Sequence, residues 1–533
     1  MKGRGPGFRR TLALAVIAAC ASLIAARPAC ATIEYRVSLD QPDQHLFGVT
    51  MTVPVEGREL TIAMPAWNAL YRIEDFAYRI RDVTALCPSI TAVPANVRKL
   101  DKQTWRIALA SVCQPGDRNT FEIHYSIDWN DPGPFNSQLN ASHAFMNLAE
   151  ILMYVPDRRA EDVSVAFVNL PDGWRTAAEL NAAGTANAYT ATSYDKLVDA
   201  PVEAGKFGEF KFASDGARIR VVIDANGEWS RRKLESGLQQ ITNYELHLMG
   251  GPPFDPPHRE YTFIFHIGPD NDLEGGGMEH ANSTAIAMRS VDSAIPIAAH
   301  EFFHVWNVKR IRPQSLEPVD YAKEQYTRAL WFAEGVTSTY ASYTLVRTGL
   351  WTKDQFYADL ASQIGDLESH PARSWQSAEE SSLDAWFEKH DGYNDPSRSI
   401  SYYNKGQILG VMLDLAIRDA TDNHKSLDDV LRRMNVEYAE QGKFYDDSEG
   451  IRAVVEEVAG KSFEEFFRRY VSGTDEIPYD DFLRIAGLRV ISTGQAEGSA
   501  AAPAESSYAI TEIDHPTERQ RRIRDGILRG ATD

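Results

Sequence analysis

Cysteine is scarce in this chain: there are four, and two of them, Cys20 and Cys30, lie within the first 31 of 533 residues. A disulfide-dense scaffold is therefore excluded, and stability has to come from packed cores. Positive charge is short as well. The 55 Lys and Arg stand against 75 Asp and Glu, giving a formal charge of −20. Five basic residues and no acids fall in the first 31 positions, so losing that segment takes the remainder to −25. This balance argues against nucleic acid or an anionic membrane surface as a partner. Beyond Ile24 no stretch approaches the ~20 apolar residues of a membrane span, and the sequence has no internal repeats.

The long apolar run that does exist is N-terminal. Lys2, Arg4, Arg9 and Arg10 precede the run Leu12 to Ile24, and Ala29-Cys30-Ala31 fits a small-residue cleavage site, the pattern of a secretory signal. Ile17-Ala18-Ala19-Cys20 also fits a lipoprotein box with Cys20 lipidated, but apolar residues continue past Cys20, which favours cleavage near Ala31. The expected location is periplasmic or extracellular. Cleavage would leave Cys87 and Cys113, an even pair in an oxidising compartment. A bridge between them would close about 26 residues, worth roughly 3 kcal/mol by chain entropy. The alternative is two buried thiols.

What is present is ample for globular folding: 22 Tyr, 23 Phe and 10 Trp. The length predicts two or three domains and a tail. After the leader at 1–31, residues 32–215 show short alternating runs such as Phe121, Ile123, Tyr125 and Ile127, the mark of a β-rich domain. Within it, Asp131 to Tyr154 is less regular and could reach over a neighbouring cleft. A catalytic domain is expected at 216–350, with a buried strand Tyr261 to Ile267; His266 reads as a core residue. Residues 351–490 read as helical, with capping boxes at Thr352–Gln355 and Ser462–Glu465 and a cap at Ser426. Residues 491–533 read as linker, then a disordered or short solvated helical tail.

The chain is organised around His300-Glu301-Phe302-Phe303-His304. Asp292 or Ser293 offers a helix cap, Pro296 falls in the first turn, and the apolar run continues through Trp306 until Pro313 stops it. Residues four apart share a helix face, so the two imidazoles can address one zinc ion, with Glu301 beside them as a general base for water. A helix with two satisfied histidines and a surface glutamate also fits the pattern. A catalytic zinc needs a third ligand. Glu334, set among Leu330-Trp331-Phe332-Ala333 and Val336, is the best candidate, because a buried carboxylate needs a cation. It could instead face solvent. Thr337, close to it, could donate to its carboxylate.

Gly275-Gly276-Gly277-Met278-Glu279-His280 precedes this helix. Gly276, Gly277 and Met278 could pair a peptide backbone along a strand edge while Glu279 meets a free α-ammonium, though an ordinary turn also fits. Tyr403, in Tyr402-Tyr403-Asn404-Lys405-Gly406, could donate to an oxyanion or simply pack.

Together GGGMEH, HEFFHVWNVKRIRP, LWFAEG and YYNKG resemble the glycyl aminopeptidase family of zinc metallopeptidases, gluzincins related to the alanyl and leucyl aminopeptidases. The 29 residues between His304 and Glu334 match this family's spacing, and the resemblance runs from about Ile33 to about Val490. It implies an α+β multidomain fold: an N-terminal β-rich domain, a thermolysin-like catalytic domain built on the H-E-x-x-H helix, and a C-terminal helical region. It implies one Zn2+ per chain on His300, His304 and Glu334, Glu301 as base, Glu279 as amine anchor and Tyr403 as oxyanion donor. The substrates would be peptides with a free N-terminus, preferentially starting with glycine or alanine. Too little chain follows Val490 for the complete C-terminal PDZ domain that many members carry. A zinc endopeptidase with an open cleft, or a non-catalytic peptide binder that retains the zinc site, are the rival readings; an intact Glu301 speaks against the binder.

Overall fold

The computed structural model describes residues 33–55, 57–68, 71–87, 93–108, 119–254, 259–268, 275–493 and 507–530, besides Met1 and Gly3. The leader and Cys113 lie outside these residues, so the signal-peptide reading and the Cys87–Cys113 pairing do as well. No helix among the described residues is long and apolar enough to cross a membrane.

Alternation builds the N-terminal half. In Asn119–Asp128 the side chains of Phe121, Ile123, Tyr125 and Ile127 are buried, while Glu122, His124 and Ser126 between them are partly open. This strand lies inside an eight-stranded sheet whose core also takes Tyr35, Val37, Val49 and Met51 from Ile33–Gln41 and Leu46–Val55. A shorter four-stranded sheet, which includes His143–Met146 and Val202–Gly205, turns toward the next domain.

The second domain centres on a five-stranded sheet in the order Gly208–Ser214, Ala217–Ala225, Glu260–Ile267, Ser283–Met288, Gly276–Glu279. The first of these strands belongs to this sheet rather than to the β-rich domain, so the boundary falls near residue 207 and not at 215. Side-chain alternation divides the central strand between two cores. Phe263 and Phe265 pack under the helices Arg231–Met249 and Val291–Phe303, while Ile264 faces the opposite side with Val222 and Phe145.

Helices dominate the remainder. Thr352 and Gln355 form the expected box, and Ser426 forms one with Asp429. Ser462 does not: Glu465 is drawn to Arg468, so the reciprocal bond is lost. The tail also differs from expectation. Ser507–Glu512 pairs with Leu488–Thr493, and the helix Glu518–Arg529 buries Ile523 and Ile527, one turn apart, instead of standing in solvent.

Candidate active site

The histidine helix runs Val291–Phe303 and is capped by Ser290, whose box with Ser293 starts it two residues before the expected cap. Pro296 consequently lies inside the helix rather than in its first turn. The helix also ends earlier than the apolar run implied, because Val305 and Trp306 donate to carbonyls three residues back and tighten the final turn.

His300 and His304, one turn apart, meet edge to face, with their Nε2 atoms 2.9 Å from each other. Glu334 Oε2 lies 3.5 Å from the first and 3.2 Å from the second. Two contacts orient the rings. His304 Nδ1 lies 2.7 Å from the Asn307 carbonyl, which can only accept, so Nδ1 carries the proton. Ser338 Oγ donates to the Glu334 carbonyl at 3.1 Å, leaving its lone pairs for His300 Nδ1 at 3.3 Å. Both Nε2 lone pairs then point at a buried carboxylate. Against desolvation, Glu334 pushes His304 up to about 10, and the two histidines hold the Glu334 carboxyl well below its usual range. Both shifts have one cause: the buried carboxylate draws positive charge to the two Nε2 atoms, as a proton on His304 or as a metal ion in its place.

Glu334 sits on a π-helical turn, Trp331–Val336, where the sequence pattern implied an ordinary helix. Asn307 Nδ2 donates to the Phe332 carbonyl at 2.8 Å, and Gly335 lies so close to Gly406 that a Cβ there would overlap its backbone. Thr337 does not serve the Glu334 carboxylate. Its hydroxyl donates to the Ala333 carbonyl at 2.7 Å, with the Asn307 carbonyl 3.1 Å away as the other possible acceptor. The polar supports of the cluster are instead Asn307 and Ser338. Their spacing from His304 (three residues) and Glu334 (four residues) was the available signal.

Glu301 is 5 % exposed and lies directly over Gly277, where a Cβ would overlap its carboxylate. Burial pushes the Glu301 carboxyl well above the usual range, with Glu279 and Glu334 adding to this against His304. Its Oε2 has no protein partner. Gly276, with φ at +152°, sits under Phe135, whose Cζ would meet a Cβ at 2.9 Å. The irregular stretch of the N-terminal domain does reach the cleft.

Gly276–Glu279 is the edge strand of the sheet. Its turn is pinned from both sides: Ala281 N–H donates to Asp199 Oδ2 at 2.9 Å, and Lys309 Nζ reaches Asp199 Oδ1 at 2.7 Å. Glu279, Glu301, His300, His304 and Glu334 line one cleft of about 160 Å³. Tyr71, Arg72 and Phe135 join from the N-terminal domain, and Glu388 and Tyr403 from the helical region. Tyr403 remains 40 % exposed, with its ring 6.2 Å from that of His300. Met278 is buried and lines the neighbouring cavity behind Glu279. Tyr71 and Arg72 carried no sequence signal, because the first domain's fold alone brings them here.

A cleft that combines an edge strand, the buried Glu301 carboxyl and a two-histidine, one-glutamate cluster has the make-up of a metallopeptidase site. The chain belongs to the M61 glycyl aminopeptidase family: the model of its catalytic domain matches residues 293–409 and that of its N-terminal domain matches 34–206. Among solved structures, an aminopeptidase N family protein from Idiomarina loihiensis is 23% identical, with a TM-score of 0.79 over 86% of this chain and 79% of its own. A mutant M1 zinc metallopeptidase from Deinococcus radiodurans, bound to a Tyr-Ser-Ala substrate, is 14% identical, with a TM-score of 0.50 over 84% of this chain and 94% of its own. Both are likenesses of fold. Comparison with curated protein sequences gave no match.

Proposed function

We propose that this peptidase is a zinc-dependent aminopeptidase that removes N-terminal residues from peptides. The observation that carries the reading is Glu279, at the end of the edge strand, in one cleft with Glu301 and the His300–His304–Glu334 cluster. The donor set of two ring nitrogens and a carboxylate suits zinc, and their lone pairs already converge. His300, His304 and Glu334 would hold the zinc, whose chemistry there would be to acidify water and polarise the scissile carbonyl.

The chain's own residues do the rest. The backbone of Gly276 and Gly277, on the edge strand, pairs with the extended peptide, and the missing side chains leave room for Phe135 and the Glu301 carboxylate beside it. Glu279 takes the α-ammonium in a charge-assisted hydrogen bond and sets the register. Glu301 accepts the proton of the attacking water and delivers it to the leaving amine. Tyr403 donates its hydroxyl to the developing oxyanion. A volume of about 160 Å³ lies well below the ~300–1,000 Å³ of pockets for drug-sized ligands, in keeping with a small first residue such as glycine or alanine. Export to the periplasm or beyond rests on the basic, then apolar, first 31 residues.

A panel of free and N-acetylated dipeptides, assayed with and without chelator, tests the reading. Activity is expected only with metal and only on free amines. Glu279→Gln should lower kcat/KM on the free peptides by about 10- to 150-fold, the loss of one charged hydrogen bond of roughly 1.5–3 kcal/mol. Blocked peptides should stay as poor as before. Equal losses on both would move the endopeptidase reading ahead.

A further inference from the structure

On the face of the central sheet turned away from the histidine helix lies a second set of ligand side chains. His143 and Glu203 come from neighbouring strands of the small N-terminal sheet, while Asp224 and His266 are register partners on parallel strands of the catalytic sheet. Glu203 is fully buried and His143 and His266 are nearly so, at 7% and 8% exposed. His143 Nδ1 lies 3.1 Å from Glu203 Oε1 and 3.5 Å from Asp224 Oδ2; His266 Nε2 lies 2.9 Å from Glu203 Oε2. None of the four lines the catalytic cleft.

A relay of hydrogen bonds decides which way the His143 ring is protonated. The Leu139 carbonyl can only accept, so His45 Nδ1, 2.7 Å away, is the donor and its Nε2 accepts from Asn130 Nδ2. Asn130 Oδ1 then accepts from Gln138 Nε2, which leaves Gln138 Oε1 to accept from His143 Nε2 at 3.0 Å. The proton of neutral His143 is thereby placed on Nε2. Its Nδ1 lone pair faces two carboxylates, a repulsive contact unless a cation lies between.

We propose that His143, Glu203 and His266, completed by Asp224, hold a second divalent metal ion that staples the N-terminal domain to the catalytic sheet. A proton on Nδ1 would relieve one pair of atoms. Here His143, Glu203 and His266, from three strands, bring ligand atoms within 4.8 Å of one another, with Asp224 beside His143 at the edge of the group, and that is an arrangement a metal ion can use. Tetrahedral bonds of ~2.0–2.1 Å to nitrogen and oxygen set ligand atoms about 3.3–3.4 Å apart, so the Glu203 carboxylate, 3.1 Å from one ring through Oε1 and 2.9 Å from the other through Oε2, needs only a small shift to share an ion with both. Two His and two carboxylates suit zinc, and Gln138 supplies the outer hydrogen bond that orients a ligating imidazole. Asp224, with 42% of its side chain exposed, marks the entry. Gly205 stands opposite His143, where a Cβ would press on the ring's own Cβ at 3.2 Å.

The full-length protein, stripped by chelator and reconstituted with zinc, should bind two equivalents by elemental analysis. His304→Ala should bind one, and the His143→Ala, His266→Ala double variant should also bind one while keeping metal-dependent peptidase activity. Should the double variant fail to fold, the wild-type count decides, together with cobalt substitution, where two equivalents should develop tetrahedral d–d absorption. One equivalent in the wild type, or a second that persists in a folded double variant, overturns the proposal. The catalytic reading fails separately, if His304→Ala loses no metal.

Discussion

Among the described residues two clusters pair histidines with glutamate, and they are assembled in opposite ways. His300 and His304 come from consecutive turns of one helix, with Glu334 supplied by the next helical segment. His143, Glu203 and His266 come from three strands in two sheets, joined by Asp224. The first opens on a cleft and has two further acids, Glu279 and Glu301, within reach of whatever binds there. The second is walled by strands, with Phe145 packed on His266 at 4.9 Å between ring centres. Similar donor atoms therefore serve different ends. Reaction requires an open coordination position and a base aimed at it; holding two domains together requires neither.

The largest effect separates the clusters by chemistry. Glu301→Gln should keep its metal and fold but lose ~10²–10⁴ in turnover, because an amide cannot carry the proton. Near-normal turnover would remove Glu301 from the base role and leave the open cluster no more reactive than the closed one.

Next in size is Gly277→Ala. A methyl at that position overlaps the Glu301 carboxylate, so the base must move. Displacement by about 1 Å costs on the order of 10² in rate, and metal content should be unchanged. If kcat holds, the base has room that the contact with Gly277 denies.

The smallest effect on activity belongs to Glu203→Gln. Turnover at low temperature should stay within about two-fold, while the thermal unfolding midpoint should fall by several degrees. Removing one partner of a buried charged network costs ~3–5 kcal/mol. A midpoint equal to wild type would leave Glu203 no part in joining the domains.

The same contrast explains what could be read from the sequence. A helix brings i and i+4 together by its own geometry, so His300, Glu301 and His304 were legible within five residues. Glu334 stood out as an acid among apolar neighbours, and the family motifs placed Gly276 to Glu279 and Tyr403 in the same cleft. Details set by tertiary contact were not legible. The start of the helix depended on Ser290, and the π turn that carries Glu334 depends on Asn307 and on the glycine approach to Gly406, so Thr337 was given the wrong acceptor. Strand clusters hide altogether. His143, Glu203, Asp224 and His266 share no spacing, and only the registers of two sheets bring them together, which is why His266 read as plain core. The tail was misjudged for a related reason, since Ile523 and Ile527 find their cover in helices far earlier in the chain.

Gly335 and Gly406 meet with bare backbones, and one turn further on Gly410 takes the Thr339 side chain against its own bare backbone. At the Gly335–Gly406 contact no side chain lies between the segment that bears Glu334 and the helix that bears Tyr403, so there is nothing at that point to slide, rotate or compress. The two behave as one jaw of a vice. Any adjustment to substrates of different size must therefore come from the opposite jaw, where Phe135 and Tyr71 close over the edge strand from the N-terminal domain.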